Sequence, residues 1–457
     1  MSLKLSGRMA YESPDTMMFG TALEPVCTRC GMTIGGGAVI PEIVPHPRPG
    51  SEQNLKTLLR EFERANGDAL EQCILLGFPN VVVENEHVSQ MTHNPEWGRE
   101  IASQAAGQIG EYVEKYGLNA GYRTTIADLR KPEIGDMRRS DRTSLVLEAF
   151  EACAEYADIL SIESVGGKEI SDHALLRNDI VGMLFAQAVL GGRDMEWLWP
   201  QIVRVAKKHG CVAGGDTDCA QANVAMYMAG GFVSKDVPHT MAALCRAMAA
   251  GRSLVAYECG ATGPGKDCGY ENPIIKAITG LPMSAEGKTS ACAHMSLCGN
   301  VTAAVCDLWA NEAVEYHEMF GGTTPAVFTE MLGYDAAMMN SSIALGLQKE
   351  FQACLANSDR YRSAHGFILC PDNAWEIGKA LVENNDSMYS RARAAALKCG
   401  RLMLSDARLR FTSYERDSLL SYLKELEALP DREGDFIDLC LKKYGKVRAF
   451  KPASYEL

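Results

Sequence analysis

Short apolar runs alternate with amphipathic stretches through most of this 457-residue chain. Runs of strand character cover Ile74–Glu84, Asn119–Asp128, Ala157–Ser164, Ile180–Leu190, Cys211–Thr217, Ser253–Glu258 and Pro282–Gly287, with Phe320–Thr324 as a weaker eighth. Between them lie stretches with apolar residues at helical spacing, such as Ser144–Tyr156 and Leu198–Gly210. Eight βα units over about 250 residues match the size of a TIM (β/α)8 barrel. A doubly wound sheet would place a glycine-rich turn directly after an early strand, and the turn at Gly77 to Asn80 is not one. The expected fold class is α/β, a TIM barrel spanning 74–345 with an N-terminal extended arm and C-terminal helical additions.

The flanks carry a different pattern. Glycines at 31, 35, 36 and 37 precede the proline-rich stretch Pro41–Gly50, and repeated proline resists both helix and central strand. Residues 1–73 are therefore expected to form an extended arm followed by a helix from about Asn54 to Cys73, packed on the barrel. Residues 346–457 read as helices. There Thr412 and Glu415 make a capping box, and Leu419, Leu423 and Leu426 form the buried stripe of a helix that stops before Pro430.

Composition narrows the function. Lys and Arg number 45 against 58 Asp and Glu, a formal charge of −13, and no basic stripe interleaves with aromatics, which argues against nucleic-acid binding. The longest apolar run, Ile180–Leu190, is too short to span a bilayer, and the opening MSLKLSGRMAYESPD lacks the apolar stretch of a signal peptide. A cytoplasmic protein without a membrane role is expected. In that reducing setting most of the 16 cysteines should be buried small hydrophobes, with ligation or catalysis the exceptions.

Barrel enzymes place reactive groups at the C-terminal ends of their strands. The third strand ends in SIESVGGKE with Glu163, and the fifth in GGDTDCAQAN with Asp216, Asp218 and Cys219. The sixth runs into YECGATGPGKDCGYENP with Glu258, Cys259, Lys266, Asp267 and Cys268. Two thiolates and a carboxylate on one rim suit Zn²⁺ and leave a fourth position for substrate.

These segments, with FGGTT, MAYESPDTMMFG, EHVSQMTHNPEWG, LLRNDI, SDRYR and FKPASY, resemble the zinc-containing methanol:corrinoid methyltransferases across nearly the whole chain. The resemblance implies metal ligands at Glu163, Cys219 and Cys268, the same trio that the rim picks out. It implies transfer of the methyl group of methanol to cobalt(I) of a corrinoid, with self-association and a corrinoid protein as partner. A methoxylated aromatic or another methyl compound is the alternative donor. Asp218, with Asp216 behind it, is the expected proton-handling group, and His294 is a further acid–base candidate. The corrinoid-binding pattern D-x-H-x-x-G is absent, since no histidine here has Asp two before it and Gly three after, so the corrinoid is expected on the partner.

Other signals lead elsewhere. GATGPGKD at Gly260–Asp267 fits GxxxxGK but has Asp267 where a P-loop needs Ser or Thr, and no helix follows directly, so nucleotide binding is not expected. Lys266 is expected instead to shape or neutralise the metal loop. His317 resembles an ordinary core histidine, and Cys27–Cys30, without a second pair, is expected to be structural. The lack of HExxH or HxH counts against a His-liganded hydrolase.

Overall fold

The computed structural model describes residues 3–132, 136–230, 236–287, 298–313 and 322–457. Seven parallel strands curl into one sheet: β3 (Ile40–Pro45), β4 (Asn80–Glu86), β5 (Asn119–Ile126), β6 (Ile159–Ile162), β7 (Val212–Asp216), β8 (Ser284–Glu286) and β9 (Leu308–Ala313). Their order is β7-β6-β5-β4-β3-β9-β8. The gap between β7 and β8 is filled by residues 262–266. Thr262 N donates to Ala213 O at 2.9 Å, and Gly265 bridges Met283 in parallel. That extended piece is the sixth stave, and with it the architecture is a TIM barrel.

The GxxxxGK segment is thus a wall of the barrel. Its glycine is required by crowding, because a Cβ on Gly265 would stand 2.9 Å from both Met283 Sδ and the Tyr257 hydroxyl.

Several expected elements are placed differently. The proline-rich arm contains the first stave: Ile40–Pro45 lies between β4 and β9, with Glu42 opposite Val82 and Ala310. Its prolines sit at the second and last positions, where lost amide donors disturb the ladder least. The segment before it is a hairpin, β1 (Thr21–Cys27) with β2 (Thr33–Gly36). The last stave is Leu308–Ala313 rather than Phe320–Thr324. Thr324 begins the helix Thr324–Ala344, and Phe320 lies outside the described residues.

Ile180–Leu190 and Ser253–Glu258 are helical. The first runs through Ile180–Leu184 and a π turn, Phe185–Gly191, into the helix Gly192–His209, and the second ends the helix His239–Glu258. Both segments are almost wholly buried, so they lack the polar face that distinguishes a surface helix from a buried strand. The first helix, Leu55–Leu76, overruns the first expected strand and ends at Gly77 in the left-handed region.

The C-terminal helices share one apolar cluster with these two inner helices; Tyr389, Ala392, Leu419 and Phe436 pack with Phe185, Leu244 and Met248. Thr412 caps the helix Ser413–Glu427 as expected, accepting from Glu415 N at 3.2 Å. The Glu415 carboxylate turns away and caps the helix His239–Glu258, accepting from His239 N and Thr240 N at 2.9 and 3.0 Å.

Inside the barrel, strand alternation builds three layers. The floor is apolar: Ile40, Val82, Ile159, Val212 and Leu308 meet Val26, Met32 and Ile34 of the β1–β2 hairpin, which closes this end. Two residues along, the lining is Glu42, Glu84, Arg123, Ser161 and Ser284, all fully buried. Arg123 Nε meets Glu42 Oε1 at 2.7 Å, and its Nη1 donates to Ser161 Oγ and the carbonyls of Pro264 and Gly265. The third layer opens to the mouth.

Candidate active site at the barrel mouth

Glu163 follows β6, Cys219 follows β7 and Cys268 follows the sixth stave, so three neighbouring loops deliver the trio. A bulge between β6 and β7 takes Gly214 out of register, with Leu160 opposite Ala213 and Ser161 opposite Gly215. Bulges re-aim the chain beyond them. Cys219 then opens a single π turn, Cys219–Asn223, a feature common at functional sites.

The ligand atoms of Glu163, Cys219 and Cys268 all lie within 4.8 Å of one another. The Cys268 thiol donates to Glu163 Oε1 at 2.7 Å. Cys268 is buried, whereas the Glu163 side chain is 30% exposed, so the trio is reachable from the mouth.

As free acids the three crowd one another. Burial and then Glu86 push the Glu163 carboxyl up to about 7, against Lys266 and the Cys268 hydrogen bond. The hydrogen bond from Cys268 favours the Cys219 thiolate, but burial and Glu163 outweigh it and lift that thiol to about 11. Cys268 is pushed well above the usual thiol range, by its contact with Cys219 and by burial. A divalent cation in place of the shared protons would relieve all three. Zinc bound at about 2.3 Å to sulfur and 2.0–2.2 Å to oxygen needs ligand atoms at separations of this order. The donor set fits.

Lys266 links the trio to the lumen. Its Nζ lies 3.1 Å from Glu84 Oε1, 2.5 Å from Glu86 Oε1 and 3.9 Å from Glu163 Oε1, and it also contacts Asp267. Burial opposes its charge, but these carboxylates hold it firmly protonated. Burial also lifts Glu84 to about 8. Glu312 on β9 shares a second cluster with His46 and Glu86. Burial, then Glu286 and Glu86, hold its carboxyl well above the ordinary range. Tyr270 donates to Glu286 Oε2 at 2.6 Å.

Asp216 and Asp218 lie behind the trio. Asp216 is fully buried and accepts from Ser164 N and Oγ, Trp199 Nε1 and Thr217 N. Asp218, also fully buried, accepts from Gln187 and lies 3.6 Å from Arg252 Nε. Arg252 in turn donates to Ser164 O at 2.7 Å, so this network fixes the loop that carries Glu163. His294 and His317 lie outside the described residues. Cys30 sits at the opposite end of the barrel, its backbone N donating to Asp158 Oδ1 at 3.1 Å. The CTRC turn fastens the floor hairpin there.

Sequence reasoning missed Glu84, Glu86, Glu286 and Glu312. The signal available was period-two placement of polar residues, acids in VVVENE and a serine and an acid in SAE. It becomes meaningful only once the strands close and those positions face one lumen.

Among the described residues, no helix is long and apolar enough to cross a membrane. The family model described as the methanol-cobalamin methyltransferase B subunit matches residues 3–456. A methanol–corrinoid protein co-methyltransferase of Methanosarcina barkeri (strain Fusaro / DSM 804) is 46% identical over 459 residues, covering all of both chains. The crystal structure of the methanol:cobalamin methyltransferase complex MtaBC from Methanosarcina barkeri superposes with a TM-score of 0.96 and 45% identity, over 99% of each chain. This chain therefore belongs to the methanol-cobalamin methyltransferase B subunit family, and its activity is that of a methyltransferase.

Proposed function

We propose that this chain moves the methyl group of methanol to cobalt(I) of a corrinoid carried by a partner protein, with one zinc ion held by Glu163, Cys219 and Cys268. The observation that carries the reading is the convergence of those three ligand atoms within 4.8 Å at the barrel mouth. The name of the full-length relative supplies the methyl donor and the acceptor class. Bound there, zinc supplies Lewis acidity toward the alcohol oxygen, which otherwise leaves poorly as hydroxide.

The chain's own residues do the rest. Lys266 draws Glu84, Glu86 and Asp267 together beside Glu163 and fixes the carboxylate that faces the mouth. Burial and the neighbouring acids disfavour the charge on Glu312 and hold its carboxyl well above the ordinary range. Its carboxyl, clustered with His46 and Glu86, is the group this reading assigns to proton handling, rather than the ion-paired Asp218 or the hydrogen-bonded Asp216. The open face at Glu163 admits the corrinoid from outside, in keeping with the missing cobalt-ligating motif.

The test is zinc per chain on protein purified without added metal, followed by cob(I)alamin methylation with methanol and with methoxylated aromatics. About one zinc per chain and turnover with methanol are expected. Zinc-free protein that takes up none on reconstitution, or zinc-loaded protein inactive on methanol, would overturn the proposal.

A further inference from the structure

Asn223 closes the π turn that Cys219 opens, and its amide faces both sulfur-bearing loops. Its Nδ2 lies 3.4 Å from Cys219 Sγ and 3.1 Å from the Cys268 carbonyl oxygen. Which end of the amide points where is fixed by a cation: Arg246 Nη2 donates to Asn223 Oδ1. Arginine can only donate, so the oxygen must face it, and the NH₂ must face the sulfur.

Arg246 is itself held from two sides. Its Nη1 donates to Glu271 Oε2 at 2.6 Å, and its guanidinium lies over the Tyr270 ring at 5.3 Å. The other oxygen of Glu271 accepts from Asp218 N at 3.0 Å and Ser253 Oγ at 2.6 Å. Asn223, Arg246, Ser253 and Glu271 are all fully buried. Water cannot replace any link, and the relay ends on a ligand sulfur.

From this geometry we infer that Asn223, oriented by Arg246, is a positioning residue that donates an N–H to the Cys219 sulfur and ties it to the Cys268 loop. The inference rests on the reading of Glu163, Cys219 and Cys268 as metal ligands. A hydrogen bond to a thiolate draws electron density from the sulfur and so weakens its donation to the metal. The metal then stays a stronger Lewis acid than two free thiolates and a carboxylate would leave it. The clamp on Cys268 O sets the spacing of the two sulfurs. Groups that orient metal ligands in this way typically contribute 10–100-fold to metal affinity or activity.

Asparagine is the side chain the position needs. Aspartate has the same shape and would keep Arg246, but it would present an oxygen to the Cys219 sulfur and the Cys268 carbonyl. Alanine would remove the acceptor of Arg246 Nη2 and the amide link between the Cys219 sulfur and the Cys268 carbonyl.

The experiment uses the full chain loaded with cobalt(II), whose thiolate-to-metal charge-transfer band reports sulfur donation directly. Asn223→Asp and Asn223→Ala are compared with wild type for band energy and cobalt affinity. We expect the band to move to longer wavelength in both as sulfur donation strengthens, and affinity to fall about 10- to 100-fold because the clamp that spaces the two sulfurs is lost. Band energies unchanged and affinities within twofold of wild type would overturn the inference. Should neither variant fold, wild-type chain labelled with ¹⁵N in its asparagine amides and loaded with ¹¹³Cd decides it. One side-chain amide proton coupled to cadmium is expected, and none would overturn the inference. Failure of the wild-type chain to bind cobalt or cadmium at all would overturn the metal-site reading itself.

Discussion

The two ends of the barrel obey the same alternation and do opposite things with it. At the floor the inward positions carry Ile40, Val82, Ile159 and Leu308, sealed by a hairpin that brings Met32 and Ile34. Two and four residues further along the same strands the inward positions carry Glu42, Glu84, Glu86 and Glu163. Burying carboxylates is unfavourable unless they are paired, and among the described residues Arg123 and Lys266, with His46 beside Glu86, are there to pair them. The floor supplies stability that the mouth gives up, and the mouth gathers acids where, on the proposed function, a cation and an oxygen leaving group would be handled. Substitutions at the two ends should therefore separate stability from chemistry.

The largest separation is expected at the mouth. Cys268→Ser removes one of the two proposed sulfur ligands while leaving the apolar floor untouched. Metal content should fall toward zero and methyl transfer by more than about 100-fold, beyond what loss of an orienting partner produces. The thermal midpoint of the metal-free variant should stay close to that of metal-free wild type. A variant that keeps both zinc and turnover would break the comparison, because chemistry would then not depend on this trio.

How far this division was legible in the sequence differs between the two ends. Glu163, Cys219 and Cys268 stand out because each follows a strand in a segment of unusual composition, and the structure brings them together. The lumen acids did not stand out. Glu312 and Glu286 sit on strands whose polar inward positions hide the apolar alternation a strand is expected to show, and Leu308–Ala313 was missed for the same reason. The first stave was masked by its prolines. Two wholly buried helices passed for strands because hydrophobic periodicity needs a wet face, and Ile180–Leu190 and Ser253–Glu258 have almost none. Barrel closure was readable from the count of alternating units, but the membership of the staves was not. It depends on contacts such as Thr262 with Ala213 that no local pattern encodes.

Lys266 sharpens the comparison from the other side, because it is the mouth's own source of stability. Lys266→Met keeps the length of the side chain and removes the charge, leaving Glu84, Glu86 and Asp267 facing one another. Removing one partner of a buried charge cluster costs about 3–5 kcal/mol. Urea unfolding of the metal-free chain should show a loss of that size. A loss under about 1 kcal/mol, at the level of an exposed ion pair, would mean the ammonium does not hold the cluster together.

At the floor, Ile159→Ala should do the reverse of Cys268→Ser. The side chain is fully buried, so truncation leaves a cavity and costs about 2–5 kcal/mol. Zinc per chain and the rate at a temperature well below unfolding should match wild type. If the rate fell with stability, the floor would be coupled to the mouth through the intervening Glu42–Arg123 layer, and the two ends could not be treated separately.

The smallest effect tests whether the outer wall of the mouth is as dry as the floor. His87 follows Glu86 and packs outward, its Nδ1 3.1 Å from Thr92 Oγ1 and its Nε2 3.5 Å from Cys153 Sγ. Burial lowers its pKa from 6.5 to about 3. The folded chain thus refuses a proton that the unfolded chain accepts, so stability is intact above about pH 6.5 and is lost as pH falls toward 3. One such group removes at most about 1.4 kcal/mol per pH unit in that window, or about 2 kcal/mol between pH 7 and pH 5. His87→Gln cannot titrate there. It should be less stable than wild type at pH 7, where it loses a fitted ring, and the gap should narrow by about 2 kcal/mol at pH 5 in urea unfolding. A gap of the same size at both pH values would mean that His87 takes up its proton in the folded chain and that water reaches behind the mouth. The contrast between a dry floor and a wet mouth would then run through the wall of the barrel as well as along its axis.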